Sequence, residues 1–316
     1  MSFFTFERIP VGHALAEASA IAARYTGLPV SSVNMCTSQG QYSRTVEVTL
    51  GDNSRLIVQF RDDDIDTSIV ALARALVGKL VPTVNLVYTR LCRRAYVSQY
   101  ADGTLWEDRG ICAVEDDKRA ASEVGALVAR LQLPMSSVSV VEDFVIPRLH
   151  QIIRQDPFYG RADLAEKVRD IAARAHILKS LPLAVCHTDI NRENIILNDD
   201  FSISGLIDWE RAAILPLGMG AWCIHQLAVM NIKGVDYETS DSKKTVVSFR
   251  GAFYSSVPAE FRSAEGAETL LLAMQVGMGG ISTAALAMAR DINALSALVL
   301  MCMHIWLRQD YIRPSL

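Results

Sequence analysis

Closely spaced cysteine pairs are missing from this 316-residue sequence, in which Cys36, Cys92, Cys112, Cys186, Cys223 and Cys302 are scattered with no C-x-x-C among them. They read as buried thiols in a reducing compartment. The N-terminus, Met1-Ser-Phe-Phe-Thr-Phe-Glu-Arg, has no basic region followed by a long apolar run, so a secretory signal is not expected and a cytoplasmic protein is. An excess of charge of one sign is also lacking: 31 Lys and Arg face 35 Asp and Glu, a net charge of -4. That balance implies no nucleic acid or other polyanion as partner. The one membrane-like run, 294–307, is too short to span a bilayer and is interrupted by His304, so it is expected as a buried helix and no membrane partner is expected. Internal repeats and low-complexity segments are absent.

Half of the residues are apolar, enough to bury one large core or two modest ones, and the periodicity of the apolar residues changes along the chain. Leu15, Ala18, Ile21, Ala22 and Tyr25 recur at helical spacing and stop at Gly27, ahead of Pro29. Residues 42–50 then alternate, Gly51-Asp52-Asn53 turns, and 55–60 run back, which predicts a hairpin. The acidic run 62–66 leads to a helix through Ile69, Leu72, Ala73 and Leu76 that ends near Gly78, and short strands fit 85–89 and 94–100. Beyond Ala101-Asp102-Gly103 the pattern is mainly helical, with stripes over 118–131, 164–181, 243–254, 268–290 and 292–308. The exception is one short strand pair, 194–197 and 202–207, around Asn198-Asp199-Asp200. The expectation is an α+β fold of two lobes: residues 1–101 as a small antiparallel β lobe, residues 102–316 as a larger, mainly helical lobe.

The chemistry-bearing residues cluster around that strand pair. The apolar run Leu183-Ala-Val-Cys186 enters a loop, His187-Thr-Asp189-Ile-Asn-Arg-Glu-Asn194 forms it, and Ile195-Ile-Leu197 leaves it. Gly205-Leu-Ile207 then delivers Asp208, followed by Trp209-Glu210. Phosphoryl transfer requires a positioned hydroxyl, a held nucleotide and neutralised phosphate charge, and an Asp, an Asn five residues later and a second Asp after a hairpin suit those needs. Here they are Asp189, Asn194 and Asp208.

H-x-D-x4-N with I-D-W-E 14 residues beyond the Asn resembles the catalytic and metal motifs of the aminoglycoside phosphotransferase and choline kinase family. The resemblance implies a protein-kinase-like fold and an ATP- and Mg2+-dependent kinase acting on a hydroxyl of a small-molecule acceptor. It implies Asp189 as catalytic base, His187 as a loop brace, and Asn194 and Asp208 as Mg2+ ligands. More loosely, Ser38-Gln-Gly40-Gln41-Tyr-Ser-Arg44 matches the phosphate-covering loop, Arg55-Leu-Ile-Val-Gln59-Phe-Arg61 the strand that bears an ATP-contacting lysine, and Tyr96-Val-Ser-Gln99-Tyr100 the hinge beside adenine. Gly40, Gln41, Gln59, Arg61, Gln99 and Asn194 are the cofactor-binding candidates on this basis.

The chain departs from the kinase pattern in two places. The lysine position holds Gln59, and the helix over 67–77, where kinases carry the partner glutamate, has no acid and one internal charge, Arg74. Arg61, Arg44 or Arg74 are the candidates to supply the missing positive charge. The V-Q-F-R strand is similar to that of a fungal branch of the family. After Asp208 the family's acidic segment is replaced by an apolar, glycine-rich one over 211–222, expected to pack the lobe rather than line an acceptor pocket. Basic aminoglycosides favour acid-lined sites, so that substrate is not carried over. Two readings compete with a kinase: the same fold without phosphate transfer, as a pseudokinase, binding protein or non-phosphorylating enzyme, and an iron oxygenase built on His187, Asp189 and a distant His225. A peptide-phosphorylating kinase is disfavoured, because D-F-G and A-P-E elements are missing.

Overall fold

The computed structural model describes residues 9–37, 39, 43–62, 64–92, 94–110, 112–155, 162–232, 235–238 and 241–288. At 155, 162–164, 225, 229–232, 235–238 and 278–288 it describes the backbone alone. The candidates Gly40 and Gln41, together with Cys302, His304 and the expected helix over 292–308, lie outside the described residues. Clustering of contacts divides the chain into two compact units, Met1–Gly103 with Ser204–Arg211, and Thr104–Ile203 with Ala212–Leu316.

The first unit is a helix laid on an antiparallel sheet. Helix α1 (Val11–Thr26) ends where Gly27 takes φ 73°, its N–H donating to the Ala23 carbonyl at 2.9 Å. Strands β1 (Val30–Met35), β2 (Ser43–Leu50) and β3 (Arg55–Arg61) precede helix α2 (Thr67–Val77), and β4 (Val84–Val87) and β5 (Arg94–Gln99) follow it. The spatial order is β1-β2-β3-β5-β4, antiparallel throughout. The period of two places Val46, Val48 and Leu50 of β2, Val58 and Phe60 of β3, and Ala95 and Val97 of β5 on one face, where they form a single core with Ala14, Ala18, Ile21 and Ala22 of α1. Gln59 and Arg61 therefore point away from that core. Helix α2 starts at Asp66, whose carboxylate accepts from the Ser68 and Ile69 amides at 3.0 and 3.3 Å.

The second unit is richer in strands than its sequence suggests. It contains β6 (Thr104–Leu105), α3 (Val114–Arg130), β7 (Gln132–Ser136), α4 (Val138–Val140), a π-helical turn Val141–Val145, α5 (Ile146–Gln155) and α6 (Ala162–Arg174). After the 3-10 stretch Ala175–Ser180 come β8 (Pro182–Cys186) and β9 (Ile195–Leu197), and β10 (Ile203–Leu206) leads into the segment grouped with the first unit. Strand β11 (Ala213–Pro216), α7 (Ile224–Ala228), β12 (Val229–Ile232), β13 (Val235–Glu238), α8 (Ser242–Ser256) and α9 (Ala264–Met288) complete it.

One strand pair was the expectation for this half, and the structure corrects it. β7, β8 and β11 form a three-stranded antiparallel sheet, β6 pairs with β9, and β12 pairs with β13. Strand β8 escapes a period-two reading because four of its five residues are buried, so it does not alternate. Helical residues 138–155, likewise unexpected, are broken up by the π turn. Glycines permit two close approaches: a Cβ on Gly125 of α3 would lie 2.3 Å from the Phe249 carbonyl oxygen of α8, and one on Gly277 of α9 would lie 2.0 Å from that of Met219. Among the described residues no helix is long and apolar enough to cross a membrane.

Candidate active site

Strand β8 delivers the motif loop from the interior. Val185 is held on both sides, its N–H donating to the Leu131 carbonyl at 2.9 Å and its register partner being Ile214 of β11. His187 follows, 1% exposed. Thr188 then adopts φ 62°, a left-handed conformation that costs a β-branched residue about 1–3 kcal/mol and persists only where surrounding contacts impose it. The turn brings Asp189 to a half-buried position between the buried Thr188 and Ile190.

The remainder of the loop is folded around Asp189 by amide side chains. Asn194 Nδ2 donates to the Asp189 backbone carbonyl at 2.8 Å, and Asn191 Nδ2 donates to the Asp189 carboxylate at 3.3 Å. Asn191 Oδ1 in turn accepts from the Glu193 amide at 2.9 Å, capping the 3-10 turn Arg192–Asn194. With its NH2 group so used, Asn194 has its Oδ1 to offer a cation.

An ionic knot built on the buried Arg192 and the half-buried Asp117 anchors this loop, and sequence reasoning missed it. Arg192 pairs with Asp117 of α3 at 3.0 Å, donates through Nε to the Leu227 carbonyl at 3.1 Å, and lies 4.5 Å from the centre of the Trp106 ring. Trp106 Nε1 donates to the second Asp117 oxygen at 2.9 Å, and the Trp106 backbone N–H to the Ile195 carbonyl at 2.9 Å. The charged pair is thus bonded to further groups on both sides, the condition under which a buried pair is tolerated. Inside the motif the signal was Arg192 itself, but its partner is 75 residues away in sequence.

The second motif belongs to the first unit. Asp208 also takes a left-handed conformation, φ 63°. Behind it Trp209 is buried, its indole N–H donating to the Leu206 carbonyl at 2.8 Å, which anchors the turn. Arg61, at the end of β3 and with its side chain 1% exposed, ion-pairs with Glu210 through Nη2 and stands 4.0 Å from Asp208 Oδ1 through Nη1. Gln59 is on the same face of β3, half-buried, opposite Thr45 and Tyr96 on the neighbouring strands. Gln99, the hinge candidate, is exposed at the end of β5. Of the other cations considered, Arg74 donates to the Val81 carbonyl, and Arg44 occupies a β2 position on the α1 side of the sheet. In the loop before β2, Gln39 bonds to the Cys36 and Thr45 backbones at 2.8–2.9 Å.

Magnesium takes oxygen ligands, commonly one or two from protein with phosphate and water completing the octahedron. The Asp208 carboxylate and the Asn194 amide oxygen match that chemistry. Among the described residues no group of three or more His, Cys, Asp or Glu gathers as a metal centre; the side chain of His225, which the oxygenase reading needs, lies outside what is described.

The apolar segment after Glu210 packs the second unit, as expected: Leu215, Leu217, Met219, Ala221, Trp222 and Cys223 are all buried. The cysteines need a correction, because among the described residues Cys186 and Cys223 are buried while Cys36, Cys92 and Cys112 are half-exposed. These three lie at a strand end and in loops, where an apolar neighbour does not imply enclosure.

The β sheet with helices α1 and α2 and the loop-bearing helical unit define a kinase-like α+β fold. A profile of the phosphotransferase enzyme family matches residues 37–231, more than half of the chain, and the chain belongs to that family. A search of curated proteins finds no match. Among solved structures, the macrolide 2'-phosphotransferase of Brachybacterium faecium is similar with a TM-score of 0.58 at 13% identity, over 90% of this chain and 97% of that one. An ethanolamine kinase of Plasmodium vivax is similar with a TM-score of 0.54 at 12% identity, over 89% and 84%. A spectinomycin phosphotransferase bound to ADP and spectinomycin is similar with a TM-score of 0.53 at 10% identity, over 94% and 98%. At these identities the likeness is one of fold.

Proposed function

We propose that this chain is an ATP- and Mg2+-dependent phosphotransferase whose acceptor is a hydroxyl of a small molecule. The observation that carries the reading is the Asp189 loop: a half-buried carboxylate on a strained turn, its carbonyl clasped by the very asparagine that the family motif gives to the metal. Asp189 orients the acceptor hydroxyl and takes its proton as the bond to phosphorus forms. His187 holds the loop from the core side, and Arg192 fixes its far end through Asp117. Asn194 and Asp208 would hold Mg2+, which when bound neutralises phosphate charge. Gly40, Gln41, Gln59, Arg61 and Gln99 are the nucleotide-contacting set. Family membership and the ADP-bound neighbour support ATP as donor. The acid-free segment 211–222, buried from Leu215 onward, favours an acceptor other than a polycation.

One observation favours a second reading, the same fold without transfer: Gln59 stands where a lysine is usual, and α2 carries no acid. Thermal melting separates the two. A saturable rise in Tm with ATP that requires Mg2+, worth about 2.7 kcal/mol at a hundredfold excess over Kd, is expected of the phosphotransferase. Melting unchanged by ATP and Mg2+ favours the second reading.

A further inference from the structure

The motif H-x-D-x4-N assigns a role to Asn194 and leaves the position of Asn191 open, yet both side chains are bonded to Asp189. Asn194 Nδ2 donates to the Asp189 backbone carbonyl at 2.8 Å, whereas Asn191 Nδ2 donates to the carboxylate itself, at Oδ1, at 3.3 Å. The orientation of the Asn191 amide is forced. A backbone N–H can only donate, so the Asn191 atom that meets the Glu193 N–H at 2.9 Å is the oxygen, and the NH2 group is the end left to face Asp189. Asn191 is itself extended, φ -143° and ψ 176°, at the start of the turn Arg192–Asn194, and Arg192 ties that turn to Asp117 and to the Leu227 carbonyl. The donor aimed at Asp189 is thus fixed from behind. Among the described residues the other Asp189 carboxylate oxygen, Oδ2, has no hydrogen-bond partner.

We propose that Asn191 is the positioning residue of Asp189: by holding Oδ1 it sets the plane of the carboxylate and presents Oδ2 to the acceptor hydroxyl. This rests on the phosphotransferase reading and deepens it. In the transfer, the acceptor oxygen bonds to the γ-phosphorus, the bond from that phosphorus to the bridging oxygen breaks with its electron pair leaving on ADP, and the hydroxyl proton passes to Oδ2. The terminal torsion of an aspartate is broad, so a second contact is needed to fix which oxygen faces the acceptor. Two points favour this role over that of a turn cap alone. Capping is served equally well by Ser or Asp, but Ser is too short to reach on to Asp189, and Asp would set a like charge beside it. Asn supplies the cap with its oxygen and has a nitrogen donor left for the carboxylate. At 3.3 Å the contact is long, and catalytic hydrogen bonds commonly tighten once substrate is bound.

The test uses Asn191→Ser in the full chain, because Ser keeps the cap on the Glu193 N–H and removes only the donor to Asp189. Transfer of labelled γ-phosphate from ATP, with Mg2+, to the small molecules of one cell extract is timed in the parent, Asn191→Ser, Asp189→Asn and the double variant. Asn191→Ser is expected to be about 10- to 100-fold slower, the range of a hydrogen bond to a charged group, with Tm and the KM for ATP unchanged. In the Asp189→Asn background the same replacement is expected to alter the residual rate by less than about twofold, since a residue that acts through Asp189 has nothing left to position. A rate within about twofold of an active parent, a fall accompanied by a lower Tm or a raised KM for ATP, or an equal fall in both backgrounds overturns the proposal and leaves the phosphotransferase reading intact. Where Asn191→Ser fails to fold or Asp189→Asn has no measurable rate, the isosteric Asn191→Asp decides: it keeps the cap and turns the donor into an acceptor. It is expected to be at least as slow as Asn191→Ser, and parental speed overturns the proposal. A parent that binds ATP and Mg2+ but transfers no label overturns both readings.

Discussion

Arg192 of the motif loop is held by the Asp117 carboxylate, the Leu227 carbonyl and the Trp106 ring. Replacing Arg192 by Leu leaves the half-buried Asp117 carboxylate without its cation, which costs about 1–3 kcal/mol, and it releases the turn that positions Asn194. The expected result is a lowered Tm together with a lowered kcat, and removal of the Asp117 charge as well is expected to return part of the Tm; calorimetry and kinetics on the single and double variants check both. Cys186 offers a second prediction. Burial pushes its thiol from 9.0 up to about 12, so the neutral form is favoured in the folded state. Its contribution to stability is therefore complete below pH 9 and is lost as pH climbs through 12. Unfolding free energy measured against pH is expected to decline less steeply on the alkaline side in Cys186→Ala than in the parent. At this scale His187, Asp189 and Asn194 were legible because one short loop strings them together. Arg61 was legible as a charge but not as a partner of Glu210, because a strand residue and a turn residue about 150 positions apart carry no sequence mark of their contact.

Among the elements, the first unit could be read almost in full. Alternation along β2 and β3, the turn at Gly51-Asp52-Asn53, the αL glycine that ends α1 and the Asp66 cap of α2 are all local signals, and each has its counterpart in the fold. Strands β8 and β11 were not legible as a sheet, because β8 is buried on both faces and β11 sits in a glycine-rich stretch. That concealed sheet is what supports the loop, since Cys186, its last residue before His187, pairs with Ala213. Helix packing also depends on residues that no periodicity reveals. Gly277 lets α9 approach the Met219 backbone so closely that a methyl group would stand 2.0 Å from its carbonyl oxygen. Gly277→Ala is expected to destabilise the fold by about 1–3 kcal/mol or more through forced displacement of backbone, whereas Gly251→Ala on α8, with open space around it, is expected to be neutral or stabilising by up to about 1 kcal/mol. Denaturant midpoints of the two variants decide the point.

For the whole molecule, kinase-like fold and family membership make the phosphotransferase account coherent with chemistry visible in each unit separately: a carboxylate loop in one, a metal-motif aspartate beside a buried arginine in the other. The fold class was legible because compound motifs with fixed spacing are rare by accident; the acceptor was not, because residues 215–222 are used in packing and the segment from 211 on carries no acid to mark a cation-binding site. The most direct test of the central claim is transfer of labelled γ-phosphate from ATP to the small molecules of a cell extract, compared between the parent protein and Asp189→Asn. The account predicts a labelled product that requires Mg2+ and falls by about 100- to 10,000-fold in the variant, the range for a lost general base, while Tm is unchanged. Equal labelling by Asp189→Asn, or no labelling by a parent protein that binds ATP, would contradict it.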